Sequence, residues 1–245
     1  MDCTKQDYVV ALAGNPNAGK STVFNALTGL KQHTGNWPGK TVLQARGRFT
    51  HQGYDFILVD LPGTYSLLAS SLEEQVARDF ICFGRPDVTV VVVDATCLER
   101  HLNLVLQVTE VTNKVVVCLN LMDEARRKKM VIDVPALAAE LGLPVVPTAA
   151  RKGEGLARLK DAIAAVATGT LHPVPTPIVY DAAIEAAAGR LARELQPLLR
   201  DRVNARWVAL RLLEGDAAII DAIREFLGME LEAPGTKLQL KEVLA

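Results

Sequence analysis

The 245-residue chain has no apolar run approaching the roughly 18 residues needed to cross a bilayer, and its longest strand-like block is Val88 to Val93. Residues Met1 to Asp7 are polar and lack an apolar signal core, so the chain as given is expected to be soluble, whether it is whole or a piece of something longer. No sign of charge is in excess: 27 Lys and Arg stand against 28 Asp and Glu, a formal net charge of -1. Coating nucleic acid or an anionic membrane favours a basic surplus, and both roles recede. The four cysteines, Cys3, Cys82, Cys97 and Cys118, form no CxxC pair and no metal spacing. A disulfide framework is not expected, which fits a reducing cytosol. Cys82, Cys97 and Cys118 lie among apolar neighbours and are expected in the core, with Cys3 exposed. His33, His51, His101 and His172 are scattered and read as loop or surface residues, not a metal cluster. No internal repeat or low-complexity tract stands out. What the chain does have is apolar residue, 49% hydrophobic against 22% charged, enough to build the core of one large domain or two small ones.

Short β-branched runs alternate with longer helical patterns through the first two thirds. Tyr8 to Ala13, Phe56 to Val59, Val88 to Val93, Val115 to Leu119 and Val145-Val146 read as buried strands. Thr22 to Leu27 and Leu72 to Phe83 read as helices, and Leu156, Leu159, Ile163 and Val166 mark one face of another. Buried strands separated by helices predict a largely parallel sheet in an α/β fold. Leu43 to Phe49, followed by the turn-like His51 to Tyr54, predicts an antiparallel hairpin feeding the Phe56 strand. From Gly169 to Pro177 three prolines interrupt any period, a semi-rigid linker. Beyond it the strands stop. Asp181 is placed to cap a helix carrying Ile184, Leu191, Leu195, Leu198 and Leu199. Trp207, Leu210 and Leu213 stripe a second helix ending at Gly215, and Asp216 is placed to cap a third with Ile219, Ile220, Ile223 and Leu227. The expected division is residues 1–168, a linker at 169–177, and an all-helical unit at 178–245.

Chemistry enters at the strand ends. Gly14-Asn15-Pro16-Asn17-Ala18-Gly19-Lys20-Ser21 fits G-x-x-x-x-G-K-[ST], directly after a strand and before a helix. In that context backbone N–H groups turn inward around phosphate and the helix N-terminus adds positive potential. Lys20 is the charge for the β- and γ-phosphates and the Ser21 hydroxyl a hard ligand for Mg²⁺. Asp60-Leu61-Pro62-Gly63 ends the next central strand, with Asp60 placed to hold Mg²⁺ through water and the Gly63 N–H free to approach a γ-phosphate. Asn120-Leu121-Met122-Asp123 ends the Val115 strand. The Asp123 carboxylate can accept from guanine N1–H and N2–H₂, whereas adenine would leave it unpaired. Thr148-Ala149-Ala150-Arg151 follows the last strand, with the Ala150 N–H expected to meet guanine O6. A loop from Gln32 to Thr41, shaped by Gly35, Pro38 and Gly39, brings Thr41 as a candidate to complete the Mg²⁺ sphere and to order the loop around a γ-phosphate. The basic cluster Arg126-Arg127-Lys128-Lys129 reads as a solvated helix face.

These residues resemble a TRAFAC-class GTPase and, more narrowly, the cytosolic N-terminal region of the bacterial ferrous iron transport protein B family. The likeness rests on Gly14 to Gly29, Gly35-Asn36-Trp37-Pro38-Gly39-Lys40-Thr41-Val42, Asp60 to Leu67, Asn120 to Asp123 and the tail motif Arg206 to Asp216. It implies a P-loop GTPase fold with a mostly parallel sheet, followed by a small helical spacer that stabilises GDP and relays nucleotide state. It also implies GTP/GDP as ligand, Mg²⁺ at Ser21, Thr41 and Asp60, and K⁺ as an activator held in part by Asn17. The nucleotide-contacting set it implies is Gly14, Asn15, Pro16, Asn17, Ala18, Gly19, Lys20, Ser21, Thr22, Gly39, Lys40, Thr41, Asp60, Leu61, Pro62, Gly63, Asn120, Leu121, Met122, Asp123, Thr148, Ala149 and Ala150, with Lys20, Asn17, Thr41 and Gly63 in catalytic roles. The implied partner is a transmembrane Fe²⁺ pathway beyond Ala245, at the cytoplasmic face of the bacterial inner membrane. Small accessory iron-transport proteins and self-association stay open as partners; nucleic acid is not expected.

Three departures from the common pattern bear on rate and affinity. Thr64 stands where signalling GTPases have a water-orienting glutamine, Leu121 where lysine is usual, and Ala149 where serine is common. They predict backbone and cation assistance in hydrolysis, modest guanine affinity and quick exchange. Two other readings share the motifs: an Era-like GTPase of ribosome or tRNA maturation, and a guanine-nucleotide sensor that binds without hydrolysing.

Overall fold

The structure, a computed structural model, describes residues 7–29, 32–37, 41–68, 71–200 and 202–228. The chain forms two compact units, Met1–Thr176 and Pro177–Ala245.

The first unit is built on seven strands: β1 (Asp7–Gly14), β2 (Gln32–Asn36), β3 (Leu43–His51), β4 (Tyr54–Asp60), β5 (Val88–Asp94), β6 (Val115–Asn120) and β7 (Val145–Pro147). They form one sheet in the order β2-β3-β4-β1-β5-β6-β7. β1 runs parallel to β4 and β5, and the parallel run continues through β6 to β7, while β2, β3 and β4 pair antiparallel. Register decides function here. Leu12 pairs with Asp60, Gly14 with Val92 and Asp94 with Asn120, so the carboxyl ends of five parallel strands reach one edge of the sheet. In an open α/β sheet that edge is where ligands bind.

Among the described residues, the helices that cover the sheet are α1 (Lys20–Thr28), α2 (Leu72–Phe83), α3 (Leu98–Val111), α4 (Met122–Arg127), α5 (Val134–Leu141) and α6 (Leu156–Ala167). The central strands have β-branched residues at successive positions because both faces are covered; Val90 to Val93 and Val115 to Leu119 are fully buried. On one face Phe24 and Leu27 of α1 and Leu159 and Ile163 of α6 pack with Val10, Val90 and Val116. Phe49 and Phe56 extend that core by stacking with ring centres 4.8 Å apart. Burying a side chain such as Phe24 contributes about 1.5–3 kcal/mol. The residues of opposite parity, Val91, Val93 and Val117, face α2 and α3. α2 begins with a reciprocal cap: Ser71 Oγ accepts the Glu74 N–H at 3.1 Å, and the Glu74 carboxylate accepts the Ser71 N–H at 3.2 Å.

Several expectations are revised. Gln32 to Thr41 reads as a loop, yet its first half is β2, an edge strand with little β-propensity of its own that is held by pairing with β3. Cys97 is exposed rather than in the core, because its 3-10 turn at Ala95–Cys97 opens at the end of β5; Cys82 and Cys118 are buried. His101 is buried at 5% exposure on α3 instead of lying at the surface. Burial pushes the Cys118 thiol up to about 12, against a counteracting hydrogen bond with Thr148, so it stays protonated and inert. Cys3 lies outside the described residues. The proline-rich stretch is pinned at two places: the Leu171 N–H bonds to Ala165 O at 2.8 Å and the Thr176 N–H to Leu141 O at 3.0 Å.

The second unit comprises α7 (Ala182–Leu199), α8 (Ala205–Glu214) and α9 (Ala217–Gly228). Asp181 caps α7 through the Ala183 and Ile184 N–H groups, Asn204 caps α8, and Asp216 accepts the Ile219 N–H. Gly215 ends α8 in the left-handed region. Leu195, Leu199, Trp207, Leu210, Ile219 and Ile223 are buried, whereas Ile184 and Leu213 from the expected stripes are exposed. Arg206 of α8 bonds the Ile178 carbonyl and the Glu185 carboxylate, which also accepts the Tyr180 N–H. That N–H, followed by Arg206, holds the Glu185 carboxyl below the usual range. Among the described residues no helix is long and apolar enough to cross a membrane.

Candidate functional site

The turn after β1 is shaped by backbone conformations that few residues adopt. Asn17 sits at φ 67° and Gly19 at φ 82°. A Cβ on Gly19 would lie 2.5 Å from the Asn120 amide nitrogen, so only glycine fits. Gly14 is equally confined, because a Cβ there would sit 2.8 Å from the Val92 carbonyl. The Ala18 N–H closes the turn on Asn15 O at 3.2 Å, and α1 starts at Lys20. Asn15 is buried, and its side-chain amide has no hydrogen-bond partner. Asn17, Ser21 and Thr22 are exposed at the mouth of the turn, and Pro16 packs beneath Gly63.

Lys20 reaches across to β4 and ion-pairs with Asp60. Burial pushes the Asp60 carboxyl up, and the neighbouring Lys20 ammonium only partly offsets this. A cavity of about 490 Å³ opens beside the pair, lined by Lys20, Thr41, Asp60, Leu61 and Pro62 with Thr34 and Glu73. The structure therefore gathers at one cavity the lysine of the first motif, the threonine of the second and the aspartate of the third. Gly39 and Lys40 lie outside the described residues. Next to them, Trp37 is buried with its ring 5.2 Å from that of Phe80 on α2, and its backbone N–H bonds to Val42 O at 2.8 Å.

Gly63 is exposed and follows Pro62 of the cavity lining, held by its neighbour, since the Thr64 N–H donates to Gly14 O at 3.2 Å. Thr64 itself is buried at 2% exposure. Its hydroxyl lies within donor reach of Ser66 O at 2.5 Å and Glu74 Oε1 at 3.2 Å. It does not face the phosphate turn.

The other end of the site is joined by Asn120, which is 1% exposed. Its amide nitrogen donates to Ala18 O at 3.1 Å, and its oxygen accepts the Thr148 hydroxyl and the Ala150 N–H, each at 3.1 Å. The Ala150 N–H, expected on a base oxygen, is thus engaged by Asn120 in this structure. The Met122 N–H reaches Thr148 O at 3.1 Å, Leu121 takes φ 62°, and Ala149 is buried with its N–H on Glu154 O. Asp123, in the first turn of α4, projects at this end and pairs with Lys152 at 3.3 Å. Partial burial pushes its carboxyl up, but Lys152 and the N–H groups of Glu124 and Asp123 outweigh that and hold it below the usual range. Arg126 to Lys129 are exposed, as the reading of a solvated face expects, and Arg126 pairs with Glu154.

Sequence reasoning missed Lys152, Glu74, Gln107 and the Trp37–Phe80 contact. Only Glu74 had a readable signal, three residues after Ser71 in a capping-box spacing.

Comparison with known proteins decides the family. The family model for ferrous iron transport protein B matches residues 8–163, and that for the FeoB cytosolic helical domain matches residues 180–243. The chain belongs to the ferrous iron transport protein B family. An Fe(2+) transport protein A/Fe(2+) transporter FeoB fusion protein of Porphyromonas gingivalis is 43% identical over 84% of this chain and 25% of its own length. The cytosolic domain of the T. maritima FeoB iron transporter in a GDP form superposes with a TM-score of 0.80 at 38% identity, over 98% of this chain and 94% of that one. Its GMPPNP form matches with a TM-score of 0.79 at 38% identity, over 97% and 94%. The fold is that of a P-loop GTPase followed by a helical domain. The chain spans about a quarter of the length of the curated relatives it matches.

Proposed function

We propose that this chain binds GTP and GDP and hydrolyses GTP to GDP and phosphate. In this reading it is the cytosolic part of a bacterial ferrous iron transporter, at the cytoplasmic face of the inner membrane, where hydrolysis regulates Fe(II) uptake. The observation that carries the reading is the convergence of Lys20, Thr41 and Asp60 on one cavity, joined through Ala18 and Asn120 to the end that presents Asp123. The GDP and GMPPNP forms of the T. maritima relative support the choice of ligand. Residues 1–168 would form the nucleotide domain, 169–177 the linker and 178–245 the helical spacer.

Each group then has a task. The N–H groups of Asn15 to Ser21 cradle the phosphates, and Lys20 exchanges Asp60 for the β- and γ-phosphate oxygens. Asp123 accepts from guanine N1–H and N2–H₂, the contact that rejects adenine. Ser21, Thr41 and Asp60 offer only hard oxygen donors, the set that Mg²⁺ takes, and among the described residues no group of three His, Cys, Asp or Glu forms a competing metal site. When bound, Mg²⁺ neutralises charge on the transferring phosphoryl group. The amide oxygen of Asn17, exposed beside the phosphate turn, is a suitable ligand for K⁺. Gly63 directs its N–H at the γ-phosphate. With the Thr64 hydroxyl committed elsewhere, unassisted turnover is expected at about 10⁻⁴ to 10⁻² s⁻¹.

Phosphate release from GTP, measured with Mg²⁺ in potassium and then sodium salt, tests this reading. Potassium is expected to accelerate the native chain and to have no effect on Asn17→Ala, with GDP affinity kept. Full potassium stimulation of that variant contradicts the Asn17 assignment. Firm GTP binding without phosphate release would establish the second reading, a guanine-nucleotide sensor, which the buried Thr64 side chain favours.

A further inference from the structure

One polar group near the phosphate end has no part in the functional scheme above. Gln107 lies on α3, and its side-chain oxygen is the meeting point of two hydrogen bonds from the segment that follows Gly63. The Leu67 N–H donates to Gln107 Oε1 at 2.6 Å, and the Ser66 hydroxyl donates to the same atom at 3.1 Å. Ser66 Oγ in turn accepts the Leu68 N–H at 2.9 Å. One step closer to the site, the Ser66 N–H donates to Thr64 Oγ1 at 3.1 Å, and the Thr64 hydroxyl lies 2.5 Å from Ser66 O. The Thr64 N–H is bonded to Gly14 O at 3.2 Å, which leaves Gly63 between a fixed residue and the phosphate turn. The chain from Asp60 to Leu68 has no helix or strand after β4 to hold it. It is held by these side-chain bonds, by the Leu61 and Thr64 N–H groups on β1, by Arg100 stacked 4.3 Å over the Tyr65 ring, and by the buried Leu61 and Leu67.

We infer that Gln107 is a positioning residue for GTP hydrolysis, anchoring residues 64–68 so that the Gly63 N–H is held toward the γ-phosphate. The inference rests on the proposed hydrolytic reading and adds to it a residue from a different helix. Its physical basis is preorganisation. A donor contributes most when its position is fixed before charge develops, and a displacement of about 1 Å can cost about a hundredfold in rate. A glutamine suits the task because one oxygen with two lone pairs accepts both donors at once. Gln107 is half-buried and does not line the cavity beside Lys20 and Asp60. Its loss should therefore slow the chemical step and leave nucleotide binding intact.

The test uses the 245-residue chain and single-turnover phosphate release from GTP, with fluorescent GDP and GTP-analogue titrations and thermal melting on the same samples. Gln107→Leu, which keeps bulk and removes the acceptor, is expected to lower the rate at least tenfold. Affinities should stay within about twofold and the melting temperature close to that of the native chain. Gln107→Glu keeps an oxygen at the same place and is expected to restore most of the rate, a rescue that mere packing would not produce. If Gln107→Leu melts early, Ser66→Ala serves in its place, because it removes one of the two donors and should lower the rate in the same direction. An unchanged rate in the variant that folds, a parallel loss of affinity and rate, or failure of Gln107→Glu to restore turnover each overturns the assignment. A native chain that binds GTP but releases no phosphate would instead contradict the hydrolytic reading itself, before any variant is compared.

Discussion

The two ends of the site are built differently. At the base end, Asn120 is fully buried and joins the phosphate turn, β6 and the segment after β7 through three hydrogen bonds, all within the protein. At the phosphate end, Lys20 and Asp60 pair with one another beside a cavity, Thr41 in its lining is exposed, and Ser21, next to Lys20, is exposed as well. The Asn120 frame has its hydrogen bonds satisfied within the protein; the phosphate end has charges and hydroxyls whose best partners are a phosphate and a cation. In the proposed reading the base meets a preformed frame, whereas a γ-phosphate meets groups that exchange partners. In that reading the division suits a switch, in which the ligand stays and its terminal phosphate is what changes.

The contrast can be broken most severely at Asn120. Asn120→Ala leaves the Ala18 carbonyl and the Ala150 N–H without their partner in a buried place, and removes one of the partners of the Thr148 hydroxyl, which keeps Cys118 Sγ and Leu119 O. With each orphaned group costing about 1–3 kcal/mol, the variant should lose about 3 kcal/mol or more of stability in urea denaturation and guanine-nucleotide binding with it. Stability within about 0.5 kcal/mol of the native chain would mean that the frame is not preformed.

Asp60→Asn probes the other end and should behave in the opposite manner. The burial penalty on the Asp60 carboxylate offsets much of what its pairing with Lys20 contributes, so the same denaturation should change by about 1 kcal/mol or less. Magnesium-dependent phosphate release should fall about a hundredfold. A large loss of stability with turnover preserved would reverse the account of the phosphate end.

The smallest effect is in acid, where the ends should titrate in opposite senses. The Asp60 carboxyl lies above its ordinary 3.8, so its contribution to stability is full at low pH and is lost as pH rises through the folded value. The Asp123 carboxyl lies below 3.8, so its contribution is full above that value and is lost as pH falls through the folded one. Carbon-detected NMR titration of the nucleotide-free chain should place the Asp60 midpoint above 3.8 and the Asp123 midpoint below it; the reverse order would contradict both environments.

How far the sequence announced this architecture follows from where each signal resides. The buried strands were legible because Val88 to Val93 and Val115 to Val117 are β-branched and each apolar run is too short for an ordinary helix. The four motifs were legible because each is local and ends a strand. β2 was not, since Gln32 to Asn36 has no such run and becomes a strand only through its partner. His101 reads as a surface residue because an isolated histidine has no pattern. It is buried because α3 turns it toward β5, where its Nδ1 accepts the Asp94 N–H at 3.1 Å and burial lowers its basicity. Gln107 and Lys152 were invisible for the same reason. Their partners, Ser66, Leu67 and Asp123, lie about 30 to 40 positions away in sequence and meet them only once the sheet has formed. Asn120 was assigned to the base-reading motif, but its role as the junction of three segments depends on Gly19, whose missing side chain leaves room for its amide.

Isothermal titration calorimetry of the native chain with GTP, GDP and ATP in magnesium buffer tests the central claim most directly. The account predicts saturable binding of both guanine nucleotides and at least a hundredfold weaker binding of ATP, with the preference abolished in Asp123→Ala. Equal affinity for ATP and GTP, or binding of neither, would contradict it.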